Sequence, residues 1–352
     1  MSHGYLGFRI ITREKGEEME NIEDIASYIV SDGKGILAAD ESNPTCTKRF
    51  ESIGVESTED KRREYREMLF RSEGMKGNIG GVILFDETIR QDAEDGTSLV
   101  EVIRNQGAVP GIKVDQGLEV INDQEETVTK GLEGLNERCS EYYSLGARFT
   151  KWRAVIKIGN TIPSKECINR NMEALAEYAL IAQTNGMVPI VEPEVLMDGD
   201  HSIDQCYEAS SRSLDALFSM LTSKGVNIKG TILKPNMITS GSNVASKANI
   251  DEVASMTLKC LKNHVPDGLP GVAFLSGGQS DLDATAHLDA MNKIGGFKWS
   301  LCFSYGRALQ QPALKVWLGD NKNSSLAQAA LSHRALMNRL ASQGRWEQDL
   351  ES

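Results

Sequence analysis

Eight short apolar segments recur along the 352 residues: GILAA (35–39), GGVILF (80–85), PGIKV (110–114), ARFTKWRAV (147–155), VPIVEPEV (188–195), TILKPNM (231–237), GVAFLS (271–276) and WSLCFSYG (299–306). Each has the length and the β-branched or aromatic content of a strand. The intervals carry helical patterns, such as CINRNMEALAEYALIAQTNG (167–186), with apolar residues at Ile168, Met172, Leu175 and Ala179 and a closing glycine. SIDQCYEASSRSLDALFSMLTSKG (202–225) and IDEVASMTLKCLKNHV (250–265) read the same way. With strand and helix alternating and no GxGxxG after the first strand, the α/β chain is expected to close into a (β/α)8 TIM barrel. A doubly wound open sheet is the alternative. No linker or change of composition divides the chain, so residues 1–352 are expected to form a single domain. Residues 1–30 read as an N-terminal extension with a short helix around NIEDIASYIV, and 307–352 as a helical C-terminal cap.

A barrel places its chemistry at the C-terminal ends of its strands, and charges interrupt the apolar segments there. Asp40 follows GILAA, Lys113 lies in PGIKV, Lys151 and Arg153 in TKWR, Glu192 and Glu194 in VEPE, and Lys234 in ILKP. Lys151 and Arg153 are two residues apart and so point to one face of a strand, about 6.6–6.8 Å apart along it; Glu192 and Glu194 repeat that geometry on the next. An isolated pair of this kind is ordinarily a solvated strand face. Charges on five strands in one register point instead to a shared mouth.

Lys234 sits in an apolar run with a proline behind it. Taken alone, it is a lysine whose stem snorkels along apolar surface to water. Desolvated beside other charges, it would be an amine nucleophile, its pKa falling from ~10.4 toward ~7–8, able to form a Schiff base with a carbonyl substrate. Lys151 nearby would disfavour a second ammonium. A neighbouring glutamate would move protons during carbinolamine formation and dehydration if burial raised its own pKa.

Barrels often hold phosphate in the loops after strands seven and eight. Here these are Ser276-Gly277-Gly278-Gln279 and Ser304-Tyr305-Gly306-Arg307, with glycines that admit close backbone approach and an arginine fork suited to phosphate oxygens. The plainer reading is a pair of tight turns. Ser42, Thr45, Lys48, Lys113 and Arg153 offer a second anion site on the opposite side, so two anion sites would flank the lysine, as a substrate phosphorylated at both ends requires.

Acidic residues outnumber basic ones by 50 to 38, a net charge of −12, which argues against nucleic acid or an anionic membrane as partner. No apolar stretch approaches the ~20 residues of a membrane span, and the N-terminus lacks the apolar core of a signal peptide. A cytoplasmic protein is expected. The six cysteines form no CxxC pair and read as reduced, buried small hydrophobes. The five histidines lack HxH or HExxH spacing, so a histidine-built metal site is not expected unless distant ligands converge, and no cofactor is assigned.

The strings GKGILAADES (33–42), PGIKVD (110–115), GARFTKWR (146–153), VPIVEPEVLMDGDH (188–201), LKPNM (233–237), FLSGGQS (274–280) and FSYGRALQ (303–310) resemble class I fructose-1,6-bisphosphate aldolase, in this order and over nearly the whole chain. The resemblance implies metal-independent, reversible cleavage of fructose 1,6-bisphosphate to dihydroxyacetone phosphate and glyceraldehyde 3-phosphate. By it, Lys234 matches the Schiff-base lysine and Glu192 the acid/base residue. Glu194, Lys151 and Asp40 match the groups that support imine formation and C3–C4 cleavage. Ser276, Gly277, Gly306 and Arg307 would hold the ketone-side phosphate, and Ser42, Thr45, Lys113 and Arg153 the other. It also implies a homo-oligomer, commonly a tetramer, and raises a cytoskeletal partner such as actin as a non-enzymatic alternative. Within enzymes, sedoheptulose 1,7-bisphosphate or fructose 1-phosphate is the alternative ketose. A glycosidase built on Glu192 and Glu194 fits poorly, because residues two apart on one strand do not flank a glycosidic bond. The sequence departs from the family in three places, one of them an N-terminal extension before Asp40 that is several residues longer than usual and has no assigned function. It ends RWEQDLES, with its last tyrosine at Tyr305, where animal and plant members end in a tyrosine that helps protonate the enamine, and it has Thr45 where serine is frequent. That proton is delivered by another group, such as Glu192 or water, or turnover is limited there, and the role is left unassigned.

Overall fold

The computed structural model describes residues 21–351; residues 1–20 of the expected N-terminal extension and Ser352 lie outside that range. Helix α1 (Ile22–Val30) comes first, capped by Asn21, whose side-chain oxygen accepts the Glu23 N–H. Strand β1 (Gly35–Ala39) follows, then α2 (Asn43–Glu51), α3 (Glu59–Phe70), β2 (Ile79–Leu84), α4 (Asp86–Ile89), α5 (Leu99–Asn105) and β3 (Val109–Lys113). A short hairpin, β4 (Leu118–Val120) and β5 (Thr127–Thr129), precedes α6 (Leu135–Ser144) and β6 (Phe149–Ile156). The remainder alternates as α7 (Lys165–Thr184), β7 (Val188–Val195), α8 (Ile203–Ser223), β8 (Ile232–Leu233), α9 (Ile250–His264), β9 (Gly271–Phe274), α10 (Asp281–Ile294) and β10 (Ser300–Tyr305). Helices α11 (Arg307–Trp317) and α12 (Ser324–Ser342) close the chain.

Eight parallel strands form a closed barrel in the order β1-β10-β9-β8-β7-β6-β3-β2. It is the (β/α)8 barrel expected from the eight apolar segments. Two strand readings differ. The hairpin β4–β5 lies outside the barrel, and its three-residue strands are too short to show an alternating pattern in sequence. The segment TILKPNM pairs only over Ile232–Leu233; the Lys234 N–H makes one more bond, to the Val191 carbonyl at 2.8 Å, and Pro235 then has no N–H to continue the ladder. Lys234 therefore stands just past its strand.

Two apolar layers share the burial. Leu37, Val82, Trp152, Val191 and Leu233 face outward from the barrel into the helices, while Ile36, Ile83, Phe149, Ile190 and Ile232 fill its interior. Helix α1 belongs to the inner cluster through Ile25, Ala26, Ile29 and Val30, and so plugs the N-terminal end of the barrel rather than standing apart as an appendage. Gly80 makes this possible, because a Cβ there would lie 2.0 Å from the Ile29 carbonyl oxygen. All six cysteines are buried and free, as the sequence suggested. Among the described residues, no helix is long and apolar enough to cross a membrane.

Candidate active site

Side chains alternate along a strand, and this parity assembles the site. Positions 36, 38 and 40 face inward from β1 and its end; so do 149, 151 and 153 on β6, 188 to 194 in steps of two on β7, and 232 and 234 at β8. The first residues of each series belong to the inner apolar cluster: Ile36, Ala38, Phe149, Val188, Ile190 and Ile232. The last ones are Asp40, Lys151, Arg153, Glu192, Glu194 and Lys234, all of which line one cavity of about 910 Å³. The β6–β7 register sets Arg153 opposite Glu192 and Val155 opposite Glu194, and β3 brings Lys113 opposite Lys151.

At the floor, Lys234 Nζ lies 3.0 Å from Glu192 Oε1, and Lys151 Nζ lies 3.3 Å from Glu192 Oε2 and 2.7 Å from Asp40 Oδ2. Lys151, Glu192 and Lys234 are each only 4% exposed, so these charges interact with little solvent screening. Arg153 Nε donates to Glu194 Oε2. Burial pushes the Glu192 carboxyl up, but Lys234, Lys151 and Arg153 outweigh it and hold the group below its ordinary value. The sequence had suggested a glutamate raised by burial; two ammonium groups reverse that sign. Asp40 is likewise held well below the carboxylate range, its burial overcome by Lys151 and Lys234. Lys151 is held well above the usual lysine range, its burial overcome by Asp40, Glu192 and Asp115.

Asp40 thus binds its proton more weakly folded than unfolded. Its contribution to stability is present above about pH 4 and is lost as the pH falls through the lower folded value. The stability advantage of the wild-type protein over Asp40→Asn should therefore shrink as thermal unfolding is followed from about pH 7 to about pH 3. A difference independent of pH would contradict the ion-pair account.

Ser42, Thr45, Lys113, Ser276, Gly277, Ser304 and Gly306 also line this cavity. Three candidates do not. Lys48 is exposed on α2, and its neighbour Arg49 lines the cavity instead, 2.5 Å from Glu41; adjacent helical residues point about 100° apart, so an error of one position turns a side chain out to solvent. Gly278 and Arg307 line an adjoining cavity of about 310 Å³ with Ser280, Asp281 and Lys315, and the Arg307 guanidinium donates to the Gln279 carbonyl at 3.3 Å. Tyr305 is wholly buried with its hydroxyl donating to Ala284 O, away from the cavity.

Asp115 was not among the sequence candidates. Its Oδ1 accepts Lys113 Nζ at 2.7 Å and its Oδ2 lies 4.0 Å from Lys151. The period of two that places Lys113 at the mouth places Asp115 there as well, although it lies beyond the apolar run. Past Pro235, the Asn236 side chain accepts the Val195 N–H at 2.9 Å, tying the segment behind Lys234 to the end of the strand that carries Glu192 and Glu194.

A family model described as fructose-bisphosphate aldolase class-I matches residues 21–352. A probable fructose-bisphosphate aldolase class 1 of Xanthomonas campestris pv. campestris is 49% identical over 94% of this chain and 99% of its own length. The cytoplasmic isozyme of fructose-bisphosphate aldolase of Spinacia oleracea is 48% identical over 96% of this chain and 95% of its own. Among solved structures, the Plasmodium falciparum fructose-bisphosphate aldolase, in complex with TRAP and a small-molecule inhibitor, is similar with a TM-score of 0.91 at 45% identity. That similarity covers 93% of this chain and 95% of the other.

Proposed function

The chain belongs to the class I fructose-bisphosphate aldolase family, and from that premise we propose that Lys234 is its Schiff-base lysine, with Glu192, Lys151 and Asp40 managing the protons around it. The enzyme is a lyase whose substrates are phosphorylated sugars, cleaving fructose 1,6-bisphosphate reversibly to dihydroxyacetone phosphate and glyceraldehyde 3-phosphate. The observation that carries the residue assignment is the carboxylate of Glu192 held between two buried ammonium groups, Lys234 at 3.0 Å and Lys151 at 3.3 Å.

The Lys234 amine attacks the C2 carbonyl, and the carbinolamine loses water to give an iminium. When the amine gives up its charge to form the carbinolamine, Glu192 loses the nearer of its two cations and binds a proton more readily. That proton is then available to the departing hydroxyl. Asp40, anchored by Lys151, accepts the C4 hydroxyl proton as the C3–C4 bond breaks and its electron pair flows to the iminium nitrogen. The aldehyde leaves; C3 of the enamine takes a proton, and hydrolysis of the new iminium releases the triose phosphate and the free amine. Lys151 keeps its charge throughout and steadies the oxygens that develop negative charge.

Ser276, Gly277, Ser304 and Gly306 suit the ketone-side phosphate, with Arg307 approaching from the neighbouring cavity, and Ser42, Thr45, Lys113 and Arg153 suit the other. Lys113 and Arg153 are each paired with a carboxylate, Asp115 and Glu194, so the incoming phosphate exchanges one anion for another. The names of the plant relatives support a cytoplasmic location, and family membership supports a homo-oligomer.

The assignment is tested by mixing the protein with dihydroxyacetone phosphate, adding borohydride and mapping peptides by mass. A reduced adduct on the peptide carrying Lys234 is the expected result. An adduct on another lysine, or none in a folded sample, refutes it.

A further inference from the structure

Asn171 on α7 has no exposed surface, and its amide meets the outer edge of the hairpin strand β5 as another strand would. Its Nδ2 donates to the Thr127 carbonyl at 2.7 Å, and its Oδ1 accepts the Thr129 N–H at 3.3 Å. Of these two backbone groups, two residues apart on the same edge, the buried Thr129 N–H would otherwise lack this partner, at the cost of an orphaned polar group, while the Thr127 carbonyl also accepts the Cys167 thiol at 3.6 Å. Thr129 then reaches the barrel, its hydroxyl donating to the Arg153 carbonyl at 2.7 Å. The location of that bond matters. The β3–β6 ladder ends with the Val114 N–H bonded to the Lys151 carbonyl at 3.0 Å, and the Arg153 carbonyl is the next on that edge of β6. Thr129 takes the place of the strand residue that β3 no longer supplies. The hairpin is also continuous with the cavity wall, since Gln116, Gly117 and Leu118 line it between Lys113 and β4.

We propose that Asn171 and Thr129 are positioning residues for the aldehyde-side phosphate: Asn171 docks the hairpin and Thr129 pins the backbone of Arg153. The inference rests on the assignment of Arg153 and Lys113 to that phosphate. Neither Asn171 nor Thr129 lines the cavity. The pair acts by fixing where the cation stands, and displacement of a binding group by about 1 Å from a remote change can cost up to about 100-fold in rate.

The test compares two substrates that differ only in this phosphate, fructose 1,6-bisphosphate and fructose 1-phosphate. Thr129→Val keeps the shape of the side chain and removes the hydroxyl. It should raise KM for the bisphosphate about tenfold while kcat/KM for the monophosphate stays within about twofold. Thr129→Ser restores the hydroxyl and should restore the bisphosphate preference. Asn171→Ala should lower the ratio of the two kcat/KM values further; if it does not fold, Thr129→Val with its serine counterpart carries the test alone. Equal losses on both substrates, as a purely structural role would produce, or an unchanged ratio in Thr129→Val, overturn the proposal. Arg153→Ala separates the two levels of the argument. If it lowers the ratio and Thr129→Val does not, only the positioning role is wrong; if neither changes the ratio, the phosphate assignment is wrong and the positioning role falls with it.

Discussion

Lys234→Met is expected to abolish cleavage, with a loss on the order of 10⁶-fold in kcat, the scale seen when a covalent nucleophile is removed from an enzyme that depends on it. Methionine keeps the unbranched stem and deletes the amine assigned to the attack on the ketone. The barrel should survive. Glu192 loses its 3.0 Å partner but keeps Lys151 at 3.3 Å, so the buried carboxylate is not left unpaired, and β8 does not use the side chain for pairing. The check is steady-state cleavage of fructose 1,6-bisphosphate beside circular dichroism and borohydride trapping. A folded variant that retains substantial activity, or still takes up the reduced triose, would remove Lys234 from the mechanism.

The second large effect concerns the cation that the carboxylates share. Lys151 Nζ is within 4.0 Å of Asp40, Glu192 and Asp115. In Lys151→Met, Asp40 loses its 2.7 Å partner and three acids face one another across a site that excludes most solvent. Removing one member of a buried ion pair costs about 3–5 kcal/mol, because the remaining charge stays desolvated. Unfolding free energy should fall by about that amount near neutral pH. Protonating the carboxylates that lose Lys151 relieves the repulsion, so the deficit should narrow as the pH is lowered, in keeping with the depressed proton affinity of Asp40 and Glu192 in the intact cluster. Cleavage should fall by about 10²-fold or more, since a preorganised donor aimed at developing negative charge is worth that much. Denaturant unfolding at two pH values, with kcat measured on the same preparation, checks both parts. A variant of wild-type stability whose only defect is a raised KM would mean that Lys151 binds substrate but does not hold the carboxylates.

Chemistry and stability meet in one cluster. In the absence of substrate, Asp40, Glu192, Glu194 and Asp115 each face a cation. On the proposed assignment, Lys234 is uncharged only while the carbinolamine forms and is cationic again as the iminium, and phosphate draws Lys113 and Arg153 away; each such loss raises the proton affinity of the carboxylate left behind. For Glu192, Glu194 and Asp115 the pairing that stabilises the resting protein would therefore also set when the acid can accept a proton; Asp40 keeps its Lys151 partner throughout.

The strands, their alternation with helices and the inward parity of the charged residues were legible in the sequence, because each is a local consequence of backbone geometry. A strand turns successive side chains to opposite faces wherever it occurs, so Asp40, Lys151, Glu192 and Lys234 could be placed on a common mouth without knowing what they touch. Their partners were not legible. The β6–β7 register, the carboxylate-to-ammonium distances and the sign of the Glu192 shift depend on how the barrel closes, and that is set by packing among residues far apart in the chain. The outward turn of Lys48 and the inward turn of Arg49 depend on the rotation of α2 against the barrel. The outer edge of the hairpin meets Asn171, 42 residues from Thr129 in sequence, a contact that only the packing of α7 against it creates. The sequence by itself determined which side chains face the mouth, since that follows from a two-residue period; the tertiary structure alone decided which of them meet, since a hydrogen bond or close ion pair needs its atoms within about 3–4 Å and only a closed barrel sets distances that finely.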